Sequence, residues 1–187
     1  MKSPRQLLIV GVLSLVACEV RAATFELINQ GLGLTNPLAF TVDGIKLSLS
    51  GGSSYNSTAT SFGIDSFGTT DDPLLIDVTE TLFFQFDQAV LIDSIVVSLF
   101  DGQDAGGVLF KAAGIQVPLQ NGTMNFGGLR LGIGGSDRIF ASLGNLTGGT
   151  RGFSIDRITV RPVPEPAAIA LAAAALLSVS ANRRDKF

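Results

Sequence analysis

The sequence predicts an all-β domain, an antiparallel two-sheet β-sandwich of jelly-roll type, placed between two terminal segments of different character. Several short runs alternate hydrophobic and polar residues and are rich in β-branched or aromatic side chains, which is typical of strands. Glycine is frequent, 22 residues of 187, and no sustained 3.6-residue period occurs between the two ends, so long helices are not expected there. About ten short strands in one domain favour a sandwich.

The clearest two strands are joined by a short, hairpin-like link at residues 88–89. In each strand alternate hydrophobic residues share one face, which we expect to be the core face. These residues are Leu82, Phe84 and Phe86 in the first strand, and Leu91, Ile95, Val97 and Leu99 in the second. The other predicted strands cover residues 24–29, 39–42, 45–50, 108–112, 115–119, 129–133, 138–143 and 152–160.

Residues 1–22 have the features of a secretory signal peptide. Lys2 and Arg5 precede a largely apolar stretch at residues 7–17, which is too short to span a bilayer. Val20 and Ala22 stand at the positions where signal peptidase prefers small residues, so cleavage is expected after Ala22. A buried core helix is the plain alternative.

Cys18 leaves a second processing route open. The residues before it, Leu15 to Ala17, resemble a lipobox, in which the cysteine would be lipidated after cleavage on its N-terminal side. Cleavage after Ala22 instead removes the chain's single cysteine. The mature protein would then have no disulfide, and its stability would come from an apolar core and from any bound ions.

The C-terminal segment, residues 162–187, has three parts. Prolines at 162, 164 and 166 favour an extended linker, because proline disrupts helices and central strands. Residues 167–181 are rich in alanine and leucine, and as a helix they would be roughly 22 Å long, short of the roughly 30 Å hydrocarbon core. Basic residues follow and are expected to stay in the cytoplasm. The helix therefore suits a temporary membrane anchor.

This tail resembles the PEP-CTERM sorting signal of bacterial exosortase substrates. The residues that carry the resemblance are Val163, Pro164, Glu165 and Pro166, followed by the short apolar helix and the pair Arg183 and Arg184. The resemblance implies recognition by exosortase, a membrane-embedded cysteine transpeptidase, with removal of the helix and transfer of the protein to the envelope or the exopolysaccharide matrix. A departure from the family is that Asp185, Lys186 and Phe187 follow the basic pair. A simple single-pass anchor is the alternative.

The remaining domain, residues 23–161, is acidic. It has seven Lys and Arg against thirteen Asp and Glu, a formal charge of −6. Such a surface argues against nucleic acid as a partner and favours divalent cations. Residues 63–104 also resemble a recurrent type of domain carried by these sorting tails, in motifs that include Gly63-Ile64-Asp65 and Leu91-Ile92-Asp93. This second resemblance implies a secreted β-sandwich and names no activity.

Acidic loops make calcium a candidate structural ion, because calcium binds six to eight oxygen ligands. One group lies in a single connection and a second follows a strand. The residues of these two groups are Asp65, Asp71, Asp72, Asp77 and Glu80 in the connection, and Asp101 and Asp104 after the strand. A further pair, Glu26 and Asp156, lies on the first and last strands, an arrangement similar to the structural calcium site of jelly-roll carbohydrate-binding modules. Asp residues that only end turns and solvate loops are the alternative.

Carbohydrate binding has weak support in the composition. Sugar-binding platforms use flat aromatic rings with a polar handle, whereas this chain has no Trp and a single tyrosine, Tyr55. The thirteen Phe are expected in the core. The candidate is a shallow site at Tyr55 and Asn56, in the polar loop 51–58, and a flexible hairpin tip is the alternative.

An enzyme is not expected. The chain has no histidine, so it cannot build Ser-His-Asp or Cys-His nucleophiles. The sequence therefore predicts an exported, non-enzymatic surface or matrix protein, with signal peptidase, exosortase, the membrane before processing and exopolysaccharide as partners. The alternative function is a carbohydrate-binding module with structural calcium.

Overall fold

The computed structural model describes residues 21–65, 74–77, 80–100, 104–133, 137–142 and 152–163. Within these ranges the protein is all-β, as predicted. Thirteen strands form three antiparallel sheets, and a 3₁₀ turn at Lys111–Ala113 is the one helical element of these ranges. The compact unit spans Arg21–Pro162.

The three sheets have four, six and three strands. The four-stranded sheet contains, in order, β1 (Ala23–Glu26), β13 (Ser154–Pro162), β8 (Val90–Ser98) and β11 (Gly122–Leu131). The six-stranded sheet contains, in order, β10 (Ile115–Pro118), β9 (Ala105–Phe110), β12 (Asp137–Ser142), β7 (Thr81–Phe86), β4 (Ile45–Ser50) and β3 (Leu38–Val42). The three-stranded sheet contains, in order, β2 (Gly31–Thr35), β5 (Ser54–Ser57) and β6 (Phe62–Asp65).

Alternation along the strands decides which side chains enter the core. In β7 the predicted set Leu82, Phe84 and Phe86 is buried, and the residues between them face outward. The structure therefore confirms this face of the sheet.

Aromatic contacts join the inner faces of the two larger sheets. Phe25 of β1 lies 6.0 Å from Phe86 of β7, measured between ring centroids, and Phe110 of β9 lies 5.0 Å from Phe126 of β11. Since burying one such side chain is worth roughly 1.5–3 kcal/mol, these aromatic contacts stabilise the packing of the two sheets.

The small sheet contacts β13 and Leu27, the residue directly after β1. Ser57 donates its hydroxyl to the carbonyl of Leu27 at 2.7 Å, and the Phe62 N–H donates to Ser154 Oγ at 2.8 Å. The buried rings of Tyr55 and Phe62 stack with their centroids 5.7 Å apart. This third sheet was not predicted, because β2, β5 and β6 are short and rich in Gly, Ser and Asn and show no regular hydrophobic alternation.

The predicted hairpin at residues 88–89 is wrong. These residues connect β7 of the six-stranded sheet to β8 of the four-stranded sheet, so the chain crosses from one sheet to the other.

The predicted core face of β8 is also wrong in part. A β-bulge at Asp93 shifts the alternation, so that Val90 and Ile92 are buried on one side of the bulge, while Leu91 is half-buried and Leu99 is 48% exposed. Ile95 and Val97 are buried as predicted.

The predicted terminal segments lie mostly outside the described residues. Of the signal peptide, residues 1–22, the structure describes only 21 and 22; of the tail, residues 162–187, it describes only 162 and 163. None of the helical segments in the described ranges has the length and apolar character that a membrane span needs.

Candidate functional site

The first and last strands are neighbours, as the calcium hypothesis assumes. β1 pairs with β13, with Ala23 opposite Val160 and Glu26 opposite Arg157. Ala22 is exposed and Ala23 is fully buried, so the predicted cleavage point lies at the boundary of the folded unit. The two ends of the unit therefore lie side by side in one sheet.

Glu26 and Asp156 have protein partners in this sheet. Glu26 Oε1 lies 2.8 Å from Arg157 Nε, in an ion pair on the exposed surface. Asp156 sits at a β-bulge of β13, and its Oδ1 accepts hydrogen bonds from Ser98 Oγ at 2.7 Å and Ser154 Oγ at 2.8 Å. Both carboxylates therefore have partners within the protein.

The other described candidates for calcium also contact the protein. Asp65 Oδ2 accepts from Ser54 Oγ at 3.2 Å, and Asp104 Oδ1 accepts from the Gly152 N–H at 2.8 Å. Asp77 is buried, and its backbone N–H donates to Glu80 Oε2 at 3.0 Å while the Glu80 N–H donates to the Asp77 carbonyl at 3.0 Å. Asp65, Asp77 and Asp104 therefore tie loops and strands together.

Calcium remains a prediction for the chain as a whole. Asp71, Asp72 and Asp101 lie outside the described residues. Within the ranges that the structure does describe, no three Asp, Glu or Cys side chains are grouped so that they could hold a metal ion.

The predicted location of Tyr55 is wrong. Residues 54–57 form β5, the central strand of the small sheet, and are not the tip of a hairpin. The Tyr55 side chain is fully buried, and its hydroxyl donates to Asn36 Oδ1 at 3.2 Å. Burial raises the pKa of Tyr55 above its usual value. Because no ring face reaches the solvent, Tyr55 does not offer a platform for a sugar.

Asn56 is also buried, with 8% of its surface exposed. Its Oδ1 accepts a hydrogen bond from the Gly33 N–H at 2.7 Å. Asn56 therefore joins β5 to β2, and the predicted shallow site at Tyr55 and Asn56 is not present on the surface.

The outer face of the six-stranded sheet holds a site that sequence reasoning missed. We use "outer face" for the side of this sheet turned away from the four-stranded sheet. Strand register places Phe83 of β7, Arg138 of β12 and Leu109 of β9 directly opposite one another in one row. Ser50 and Gln116 extend the same row at its two ends. Directly opposed residues in such a row have Cβ atoms about 5 Å apart and form a continuous surface.

A cavity of about 270 Å³ opens on this row and is lined by Phe83, Leu109, Lys111 and Arg138. The Phe83 side chain is 38% exposed. The Arg138 guanidinium lies 5.8 Å from the ring centroid of Phe140, in a cation–π contact. The cavity therefore combines an aromatic ring, an aliphatic side chain and two cations.

Asp137 supports this cavity from the core side. It is almost fully buried, and its Oδ1 accepts a hydrogen bond from the Lys111 N–H at 2.9 Å. Burial raises the pKa of Asp137, and the hydrogen bond from Lys111 opposes this shift. Asp137 thus fixes the backbone that carries Lys111 beside Arg138.

The alternation in β7 contains the signal for this site. If Leu82, Phe84 and Phe86 face the core, Phe83 must face the solvent, and an exposed phenylalanine in a strand indicates a candidate binding surface. The pairing of β12 between β7 and β9, which brings Arg138 next to Phe83, has no comparable local signal.

No protein-family model, curated protein or solved structure matches this chain.

Proposed function

We propose that this protein is an exported, non-enzymatic component of the cell surface or extracellular matrix. It is directed across the membrane by residues 1–22, held temporarily by the C-terminal helix, and then sorted by exosortase at the Pro164-Glu165-Pro166 triplet. Signal peptidase and exosortase are its processing partners.

The observation that supports this proposal is the place where the folded unit begins and ends. β1 begins at Ala23, directly after the proposed signal-peptidase site, and β13 ends at Pro162, two residues before Pro164. Both proposed cuts therefore fall outside the paired strands, so removal of both ends leaves the sheets and the core intact.

We infer that eight of the strands follow a jelly-roll path. In an eight-stranded jelly roll one sheet has the order first, eighth, third, sixth, and the other has second, seventh, fourth, fifth. With β1 as the first strand and β7–β13 as the second to eighth, the orders β1-β13-β8-β11 and β7-β12-β9-β10 correspond to this scheme. Strands β2–β6 are then an insertion after the first strand.

A carbohydrate-binding module is the second candidate function. The cavity on the outer face favours it, because an exposed aromatic ring next to polar and charged side chains is the kind of surface on which sugars bind. The site differs from the one expected at Tyr55, and it involves none of the candidate calcium ligands.

Changing Pro164 and Pro166 together to alanine is expected to block sorting. The double variant should accumulate as a membrane-bound precursor that retains its tail, because the extended triplet is the proposed recognition element. Fractionation of native cells and immunoblotting for a tag inside the domain would measure the precursor.

Pro118→Ala is the matched control, since Pro118 is an exposed proline at the end of β10, outside the tail. It should be processed like the wild type. Processing and release of the double variant at the wild-type rate would contradict the exosortase proposal.

A further inference from the structure

We propose that the outer face of the six-stranded sheet binds an acidic saccharide, with one carboxylate-bearing sugar ring in the cavity between Phe83, Leu109, Lys111 and Arg138. This inference rests on the proposed function, since it names the kind of matrix polymer that an exported protein would meet. It also places the contact on a surface that neither processing site touches.

Charge distribution is the first support. The domain is acidic overall, and two of the three cations in the strands of the four-stranded sheet are neutralised: Arg157 pairs with Glu26, and Arg161 makes two 2.8 Å contacts to Asp93, while Arg130 of β11 is exposed. On the outer face, no residue within the six strands is an outward-facing Asp or Glu. Within the described strands, this face therefore carries cations and no outward-facing carboxylate.

The two cations at the cavity are available to an anion. Among the residues that the structure describes, neither Lys111 nor Arg138 forms an ion pair. The exposed carboxylate of Asp87 lies four residues along the chain from Phe83, beside the backbone of Lys46 at the far end of the face. The carboxylate of Asp137 is also near, but it is buried on the core side, where its Oδ1 accepts from the Lys111 N–H. A carboxylate in the cavity would therefore meet two cations whose side chains form no ion pair with a described residue.

The shape and chemistry of the cavity favour a sugar ring over other anions. The exposed Phe83 ring can pack against the C–H face of a pyranose, while the planar guanidinium of Arg138 can bind a carboxylate through two parallel hydrogen bonds. Ser50 and Gln116, at the two ends of the row, offer hydrogen bonds to hydroxyl groups of neighbouring rings. The cavity volume of about 270 Å³ is just below the roughly 300 Å³ at which pockets for drug-sized ligands begin, which suits one ring.

Two other classes of polyanion fit less well. Nucleic acid needs many clustered cations, and this domain has an excess of acidic residues. Membrane binding needs a wide apolar surface that enters the headgroup layer, whereas this row offers one exposed phenylalanine and a half-buried leucine.

The test uses the protein purified from its own cells in whichever processed form they produce. Affinity electrophoresis is run in gels that contain polygalacturonate, neutral dextran or polyglutamate. We expect retardation by polygalacturonate alone, because dextran lacks the carboxylate and polyglutamate lacks the sugar ring. Raising the salt from about 0.05 M to about 0.5 M should weaken retention, since the Debye length shortens roughly threefold.

Variants locate the binding site. Arg138→Gln should weaken the affinity about tenfold, because it removes the positive charge and the two parallel N–H donors that bind a carboxylate. Phe83→Ala should weaken it about fivefold through loss of the ring. Arg138→Lys keeps the charge but not the planar pair of N–H donors. Its affinity should therefore fall less than that of Arg138→Gln.

The controls are an exposed cation and an exposed apolar residue of other sheets. Arg130→Gln in β11 and Leu32→Ala in β2 should leave the affinity within about twofold of wild type. Equal retention by polyglutamate, or equal losses in the Arg130 and Arg138 variants, would overturn the inference and leave the sorting proposal untouched. Binding by a protein that is never exported would contradict the sorting proposal alone.

Discussion

Gly63→Ala is expected to destabilise the domain strongly, although it adds a single methyl group. A Cβ at Gly63 would overlap the backbone nitrogen of Leu75 and the backbone carbonyl carbon of Leu74, and neither atom can move like the end of a flexible side chain. The overlap would also break the 3.1 Å hydrogen bond from the Ile64 N–H to the Leu75 carbonyl. We expect a loss of at least about 3 kcal/mol in the free energy of unfolding, measured by urea denaturation.

Gly132→Ala is the matched control. An added Cβ there meets no heavy atom within 4 Å, and the residue has no left-handed backbone conformation. Its free energy of unfolding should stay within about 0.5 kcal/mol of wild type. Similar losses in both variants would mean that β6 does not pack against residues 74–75 as described.

Alkaline pH is expected to unfold the protein through Tyr55. Burial raises the pKa of Tyr55, so the folded state keeps the phenol neutral while the unfolded chain ionises near pH 10. The contribution of the neutral Tyr55 to the free energy of unfolding is therefore fully present below about pH 10. Above that pH the free energy of unfolding falls by up to about 1.4 kcal/mol for each pH unit. Since Tyr55 is the chain's one tyrosine and there is no Trp, near-ultraviolet absorbance reports this phenolate alone.

Phenolate absorbance and loss of β-sheet circular dichroism should appear in one transition. Tyr55→Phe keeps the ring that stacks on Phe62 but removes the ionising group, so this variant should lose the part of the alkaline instability that tyrosine causes. It should also lose the hydrogen bond to Asn36, at a cost of about 1 kcal/mol at neutral pH. Phenolate formation near pH 10 in a protein that is still folded would contradict the burial of Tyr55.

Local sequence patterns predicted the strands whose alternation is regular. β7 and β4 show strict alternation, and in both the apolar set is buried. β8 was predicted in the right place, but its core face was not, because a bulge at Asp93 changes the alternation and depends on pairing with β13. Bulges arise from contacts between distant strands, so a single strand's pattern does not contain them.

The small sheet shows a second reason why sequence patterns did not predict the whole fold. The segment around Tyr55 is polar and rich in glycine and serine, which favours a loop by composition. In the structure its hydroxyl and amide groups satisfy backbone partners instead: Ser57 bonds Leu27, and Asn56 bonds Gly33. Tyr55 is therefore a core residue, while Phe83, expected in the core with the other phenylalanines, is partly exposed at the cavity.

Intact-mass spectrometry of the wild-type protein from native cells tests the central claim most directly, because it reads both ends of the chain at once. The account predicts a chain that begins at Ala23, lacks residues 167–187 and is recovered outside the cytoplasm. A full-length, unprocessed chain of 187 residues, folded in the cytosol, would contradict it.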